Sequence, residues 1–458
     1  MAALEETSVR QAPGRRETVG LATLFGVMYF VQGIGEPTEG LISQPVRSLL
    51  KDWGRSAAEI AAFSAVLGLP WTLKPLYGLL TDFVPLGGTR RRGWLLLMTA
   101  ATIIGLGGLW LFPVAPGADG LLLAWLLVPA VGIAFTDVVV DALMVEKGQP
   151  RGLTGLFQSV QWAAIYGATI LTGVVGGYLS EHRMQTTGFA IAAGFTLVSL
   201  IVAVIYVTEG RRARPGTVAR EIEELVDAPA SPNPGALRQR TGRGLALKRA
   251  LAALWKTARS PAVLYTGGFL FLWNFNPFSS ALLQFHMTER LGYSEQFYGN
   301  TASMLAVGAL LGSVAYGFYC RAVQFPHLLH LSIVAGVYAT IAYWQLERDS
   351  PAVAYGISAL AGFTWMTGSL VQLDLAARTC PPETAGTTFA LLMAVSNLAM
   401  SVSQWVGGLL YERWTAVWYP EFAFTLLVGT GALCTAGCWV LVPFLKRYAR
   451  EADSRKAL

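Results

Sequence analysis

Long apolar segments alternate with short polar segments along most of the chain. Residues 93–115 and 121–145 are two examples, and each supplies the roughly 20 residues that a membrane-spanning helix needs. Because lipid offers the backbone no hydrogen-bond partner, runs of this length satisfy their N–H and C=O groups as helices. The pattern predicts twelve such helices, called spans 1–12, near residues 19–46, 57–81, 93–114, 120–146, 154–180, 187–208, 261–288, 295–319, 326–346, 351–378, 385–411 and 418–445.

The spans form two sets of six that share landmarks. Pro37 in span 1 corresponds to Pro277 in span 7, and Asp141 in span 4 corresponds to Asp374 in span 10. Six-helix repeats in parallel orientation are typical of the major facilitator architecture. The sequence therefore predicts an all-α membrane protein with the major facilitator fold and two pseudo-symmetric six-helix halves. The expected units are a tail (1–18), an N-terminal half (19–208), a linker (209–260), a C-terminal half (261–445) and a second tail (446–458).

Composition and charge support this interpretation. Hydrophobic residues make up 53% of the chain and charged residues 14%, against about 25% charged residues in soluble domains. Most of the lysines and arginines fall in segments that lie on one side of the predicted membrane, so the net charge of +6 reflects orientation and not nucleic-acid binding. Both termini are expected in the cytoplasm, and the chain in an inner or plasma membrane. We expect a monomer with no cofactor, no metal and no enzymatic activity.

A glycine, an aspartate and a basic cluster mark the segment between spans 2 and 3. Gly78 and Asp82 precede Arg90, Arg91 and Arg92. This arrangement is similar to the cytoplasmic signature of major facilitator proteins. We expect the aspartate to cap a helix or to pair across the domain interface, and the arginines to face anionic headgroups. A plain topology anchor is the alternative for the arginines.

Several longer motifs carry a closer resemblance. They read PWTLKPLYGLLTD (70–82), FTDVVVDALMVE (135–146), LFQS (156–159), FLFLW (269–273) and CPPETAGTTFALLM (380–393). Together they resemble the folate–biopterin transporter family over most of residues 19–445. The resemblance implies the major facilitator fold and transport of pterins and folates with protons. The segment QGIGEPTEG (32–40) departs from that pattern and is more similar to the related muropeptide permeases, so the solute stays open.

Ionisable residues inside the spans are candidate functional groups, because each costs about 2.5–3.5 kcal/mol to insert. Asp137 and Asp141 are four residues apart and share one face of span 4. Two carboxylates this close in a low dielectric favour uptake of a proton by one of them. We therefore predict proton coupling here, with an ion pair to span 2 as the alternative. Lys74 lies at a similar depth in span 2, and its predicted partner is Asp141 or Asp82.

Span 1 carries two acids beside a proline. Glu36 and Glu39 flank Pro37, which removes a backbone donor and opens the helix, as in the discontinuous helices of transporter substrate sites. We predict that Glu36 takes part in proton coupling and, with Glu39 and Gln32, in binding the solute. The alternative for Glu36 is a carboxylate wetted by an outward-facing vestibule.

Polar and aromatic side chains also surround the proline of span 7. Trp273, Asn274 and Asn276 precede Pro277, and their indole and amides suit a flat heteroaromatic ligand. Packing with one satisfied amide is the alternative. A second predicted polar and aromatic cluster lies on span 5 and consists of Gln158, Gln161 and Trp162.

The remaining charges are assigned to structure or gating. Asp374 and Arg378 are four residues apart in span 10, which predicts an ion pair within the helix. The absence of a P-loop motif argues against ATP-driven transport by this chain. The sequence therefore favours a secondary active transporter that carries a small organic solute with protons across the bilayer, by alternating access. The alternatives are a muropeptide or siderophore permease, and a scaffold or pigment-assembly protein of the same fold that does not transport.

Overall fold

A computed structural model describes residues 15–148, 151, 153–209, 258–320, 322–380 and 385–445. Fifteen of the helices in these ranges are labelled here in chain order: α1 (Arg15–Gly35), α2 (Ser43–Asp52), α3 (Ala57–Thr72), α4 (Lys74–Phe83), α5 (Arg92–Leu111), α6 (Asp119–Gly148), α7 (Thr154–Glu181), α8 (Gln185–Tyr206), α9 (Pro261–Asn274), α10 (Ser280–Phe285), α11 (Glu295–Tyr319), α12 (Phe325–Ile341), α13 (Pro351–Thr379), α14 (Ala385–Thr415) and α15 (Pro420–Gly437). A π-helix, His286–Arg290, continues α10.

Three spans are broken, each beside a proline. Span 1 divides into α1 and α2 around Pro37, and span 7 divides into α9 and α10 around Pro277. Span 2 divides into α3 and α4 at Leu73. Here Pro75 lacks the N–H that would bond the carbonyl of Trp71 in a continuous helix. The breaks therefore free backbone groups inside the bundle.

Nine helices within the described ranges are long and apolar enough to cross a membrane. The broken spans 2 and 7 are not among them, and neither is α13, which corresponds to span 10 and carries several polar side chains. Large apolar side chains are exposed on the outside of the bundle, including Phe318 (80%) and Leu433 (74%), as expected of a surface that faces lipid. The predicted linker lies almost entirely outside the described residues, as do most of the first tail and the whole of the second.

Two long helix pairs join the halves. Helix α7 packs along α11, and α3 packs along α14. A Cβ atom added at Gly173 of α7 would lie 2.6 Å from the carbonyl oxygen of Gly299 in α11. A Cβ atom added at Gly408 of α14 would lie 2.9 Å from the Cα of Ala58 in α3. These glycines therefore let the backbones of the two halves touch.

Candidate functional site

The carboxylates of α6 lie in a buried polar cluster between α1, α4 and α7. Asp137 is 4% exposed, and its Oδ2 forms an ion pair of 2.5 Å with Nζ of Lys74. Its Oδ1 accepts a hydrogen bond of 2.6 Å from Nε2 of Gln32. Lys74 also lies over the ring of Trp71, with 4.6 Å between Nζ and the ring centroid. The cluster thus connects spans 1, 2 and 4.

The ion-pair partner of Lys74 differs from the prediction, which named Asp141 or Asp82. Helices α4 and α6 lie side by side in a register that places Lys74 opposite Asp137. Glu146, nine residues after Asp137 on α6, and Asp82 of α4 both form ion pairs with Arg90. Asp82 lies near the far end of α4, and Asp141 is one turn beyond Asp137. Sequence spacing gives the depth of each residue but not this register.

Asp141 has a different environment from Asp137. The hydroxyl of Tyr29 donates a hydrogen bond to Oδ1 of Asp141, and Nε2 of Gln161 donates another at 3.2 Å. Among the described residues, no lysine or arginine nitrogen lies within 4 Å of this carboxylate, whereas Asp137 has Lys74. The cluster therefore contains two carboxylates and one direct cationic partner.

Glu36 stabilises the break in span 1. Its carboxylate accepts hydrogen bonds from the backbone N–H of Thr38 at 3.0 Å, the Thr38 hydroxyl at 2.6 Å and the backbone N–H of Glu39. The indole N–H of Trp71 donates another at 3.2 Å. Glu36 is only 8% exposed, so in this conformation its carboxylate is held by donors of the protein.

A cavity of about 330 Å³ lies between the two halves. The N-terminal half contributes one acidic and one basic residue, Glu39 and Arg47. The predicted residues Trp273, Asn274 and Asn276 of span 7 line the other side. Five further predicted residues are not part of this lining: Gln32, Glu36, Gln158, Gln161 and Trp162.

Four lining residues have buried polar atoms that lack a hydrogen-bond partner in the described structure. They are Nε1 of Trp273, Oδ1 of Asn276, Oγ of Ser279 and Oε1 of Gln404. Buried polar atoms are normally paired, so these four mark the residues around the cavity as incompletely satisfied in this conformation. Sequence reasoning missed Ser279 and Gln404; the available signal for Gln404 was a glutamine inside an apolar span.

Two predicted residues of span 7 are constrained by packing. The indole of Trp273 is 7% exposed and lies close to Gly336 and Gly368, so its ring is enclosed, and its N–H is buried without a hydrogen-bond partner. The side-chain amide of Asn274 donates to Oε1 of Gln372 at 2.7 Å and to a backbone carbonyl at 2.8 Å. The alternative of a satisfied amide thus describes Asn274 but not Asn276.

The predicted cluster on span 5 does not form one site. Gln158 is exposed, Gln161 binds Asp141, and the ring of Trp162 stacks on Tyr166 with 5.8 Å between centroids. Gln161 therefore belongs to the acidic cluster.

Hydrogen bonds and ion pairs join the halves at the end of the bundle that contains Lys51. Nζ of Lys51 lies 2.6 Å from Glu295 and 2.9 Å from Glu289. Burial alone would lower the pKa of Lys51, but the Glu295 and Glu289 carboxylates outweigh it and hold the pKa above its ordinary value.

Two hydrogen bonds between the halves lie beside these ion pairs. Gln44 donates to Glu295 at 2.9 Å, and Arg47 donates to Gln284 at 2.5 Å. This set is called the Lys51 gate.

The basic cluster lies at the opposite end. Arg90 and Arg91 bind Asp82 and Glu146 at 2.8–3.4 Å, and their side chains are mostly buried. The expectation that these two arginines face headgroups is therefore wrong, because carboxylates of their own half neutralise them. Asp82 likewise pairs within its half and not across the interface. Arg92 donates to the backbone carbonyl of Val204 at 3.0 Å.

The predicted ion pair of span 10 is present. Nε of Arg378 lies 3.0 Å from Oδ1 of Asp374. The guanidinium also lies over the ring of Phe325, 4.4 Å from the centroid. These contacts make the pair part of the packing of α13 against α12.

Comparison with known proteins gives consistent matches. The sequence matches the BT1 family over residues 33–456. It is 31% identical over 408 residues to the folate-biopterin transporter of Synechocystis sp., a match that covers 86% of this chain and 75% of that protein. It is 24% identical over 440 residues to the probable folate-biopterin transporter 4 of Arabidopsis thaliana, covering 86% and 89% of the two chains.

Solved structures share the fold. The nucleoside transporter NupG matches with a TM-score of 0.64 at 12% identity, over 93% of this chain and 98% of that chain. A POT family transporter in complex with a thioalcohol-conjugated peptide matches with a TM-score of 0.65 at 13% identity, over 93% and 96%. The predicted major facilitator fold is confirmed. The relatives are transporters, which agrees with the expectation that the chain is not an enzyme and favours transport over a scaffold.

Proposed function

Since the chain belongs to the BT1 family and is a multi-pass membrane transporter, we propose that its solute is a folate or pterin and that protons drive the transport. The curated relatives are named for these solutes. The proposal also places both termini in the cytoplasm of an inner or plasma membrane, with the transporter acting as a monomer.

The observation that carries the solute class is the set of unpaired buried polar atoms on residues that line the cavity. Trp273 offers an N–H donor, Asn276 and Gln404 offer carbonyl acceptors, and the Ser279 hydroxyl can serve as either. A pterin edge presents amino and ring N–H donors together with carbonyl and ring-nitrogen acceptors. A ligand of this kind therefore pairs groups that are otherwise left buried and unsatisfied. Glu39, the acid of the lining, is a further acceptor for the amino group.

Proton coupling is assigned to the acidic cluster. With both carboxylates ionised, Asp137, Asp141 and Lys74 carry one excess negative charge in a site mostly removed from water. A single proton on Asp141 removes that excess, because Asp137 already has Lys74 as its partner. Glu36 completes the network, since Trp71 contacts both Glu36 and Lys74.

The distribution of contacts between the halves supports alternating access. The Lys51 gate closes one end of the bundle. The positive-inside bias supports a cytoplasmic position for Arg90–Arg92 and an outer position for the Lys51 gate. This conformation is then the one closed to the outside, and transport requires the gate to open.

The test is ligand screening of the purified protein. Thermal-shift titrations compare pterins, folates, muropeptides and siderophores, followed by uptake into proteoliposomes under an imposed pH gradient. We expect stabilisation by folic acid or biopterin and accumulation that depends on the gradient. Stabilisation by a muropeptide or a siderophore alone would contradict the solute class, and accumulation that ignores the gradient would contradict the coupling.

A further inference from the structure

Arg47 is a buried cation in the lining of the cavity. It is 6% exposed, it lines the cavity, and it is the basic residue among the lining side chains. Its hydrogen-bond partners are neutral: Nε donates to Oε1 of Gln284 at 2.5 Å, Nη1 donates to the carbonyl oxygen of Thr38 at 3.3 Å, and the guanidinium also contacts the Tyr298 hydroxyl. Among the described residues, no carboxylate oxygen lies within 4 Å of its guanidinium; the ion pairs of α2 belong to Lys51 and Asp52.

A buried cation without a direct counter-charge is costly, since proteins normally pair such groups. The acid of the lining, Glu39, hydrogen-bonds to Ser280 at 3.2 Å and is not within ion-pair distance of Arg47. An arginine carries five N–H donors in a planar fork that matches a carboxylate. These partners do not occupy all five N–H donors of Arg47, so further donors remain for a bound anion.

We propose that Arg47 is the oxyanion subsite of the cavity and that it selects solutes carrying a carboxylate. The inference rests on the proposed function and narrows it: an acidic pterin conjugate is preferred over an uncharged pterin. The residue is additional to those assigned to the solute above. Arg47 also belongs to the Lys51 gate, since its Nε donates to Gln284 in the other half. A carboxylate bound to Arg47 would therefore contact a gate residue directly.

The experiment uses matched acidic and neutral probes. Folic acid is compared with its dimethyl ester, and muramyl dipeptide with its amide, by equilibrium titration of the purified full chain. Arg47→Gln removes the charge, and Arg47→Lys keeps the charge but loses the fork. Gln284→Ala is the matched control, because it removes the acceptor of the Arg47 Nε hydrogen bond in the other half and leaves the guanidinium in place.

We expect Arg47→Gln to weaken binding of the acidic probe by about tenfold or more and to leave binding of its neutral partner unchanged. Arg47→Lys should fall between the parent and Arg47→Gln, and Gln284→Ala should retain the preference for the acid. Binding of the neutral probe shows that each variant is folded. Equal weakening of both probes by Arg47→Gln, or loss of the preference in Gln284→Ala, would overturn the proposal and make Arg47 a gate residue only.

The pairs of probes separate this inference from the solute class. If folic acid and its ester do not bind but the muropeptide pair shows the Arg47-dependent preference, the folate assignment fails and the oxyanion subsite stands. If folic acid binds the parent and Arg47→Gln equally well, the subsite fails and the folate assignment stands. If neither acid binds the parent more tightly than its neutral partner, the subsite is overturned.

Discussion

Asn397 of α14 donates a hydrogen bond of 3.0 Å to the backbone carbonyl of Trp71 in α3. This carbonyl is free because Pro75, four residues later, has no N–H to offer. The proline therefore creates an acceptor in the N-terminal half, and the C-terminal half supplies the donor.

Replacing Asn397 by Ala should destabilise the protein by about 1–2 kcal/mol, because the Trp71 carbonyl loses its donor. The readout is thermal unfolding of the purified variant. Pro75→Ala provides the control, since it restores an N–H within the helix. In that background Asn397→Ala should cost much less; an equal loss in both backgrounds would show that the hydrogen bond is not the cause.

Neutralising either partner of the Lys74–Asp137 pair should cost about 3 kcal/mol, because the other charge remains buried. We place the cost at the lower end of the range for buried pairs, since the Lys74 side chain is 23% exposed. The double variant Lys74→Gln with Asp137→Asn should recover most of the stability. A double-mutant cycle by thermal unfolding measures the coupling, and the same cycle with Asp141→Asn should give a smaller value.

Asp141→Asn should abolish proton-driven accumulation and spare counterflow exchange. The substitution removes the carboxylate that has no direct cationic partner but keeps a side chain that can bind Tyr29 and Gln161. Uptake into proteoliposomes with and without a pH gradient distinguishes the two modes. Gradient-driven accumulation at the parental level in this variant would exclude Asp141 as the coupling site.

Removing an unpaired polar atom from the cavity should weaken solute binding without disturbing the fold. Trp273→Phe keeps an aromatic ring near Gly336 and Gly368 but loses the N–H, and Gln404→Leu loses the carbonyl acceptor. Each should cost about 1–2 kcal/mol of binding free energy, measured by titration with folic acid. The control Gln158→Leu, at an exposed site outside the cavity, should bind folic acid as tightly as the parent does. If Trp273→Phe and Gln404→Leu also bind as tightly as the parent, these two polar atoms do not contact the solute.

The helices were largely predictable because the bilayer imposes length and polarity on each one. Span 8 was predicted at residues 295–319, and α11 has those bounds. The break at Pro37 was also expected, because a missing N–H is a local property. The family resemblance read from the motifs is confirmed as well.

The contacts of the site could not be predicted in the same way. The partner of Lys74 depends on the register between α4 and α6, and hydropathy does not encode that register. Likewise, the enclosure of Trp273 depends on glycines of two distant helices, Gly336 and Gly368. Residue type and depth identified the polar groups, whereas their pairing required the packed structure.

The bare backbone contact between Gly173 and Gly299 has a practical consequence. When the halves rock against each other, they pivot about this contact, where no side chain separates the two backbones. A single methyl group added to Gly299 would clash with the backbone of Gly173 and hold α7 and α11 apart. The substitution Gly299→Ala would therefore disfavour the conformation described here and enrich the alternative conformation for structure determination.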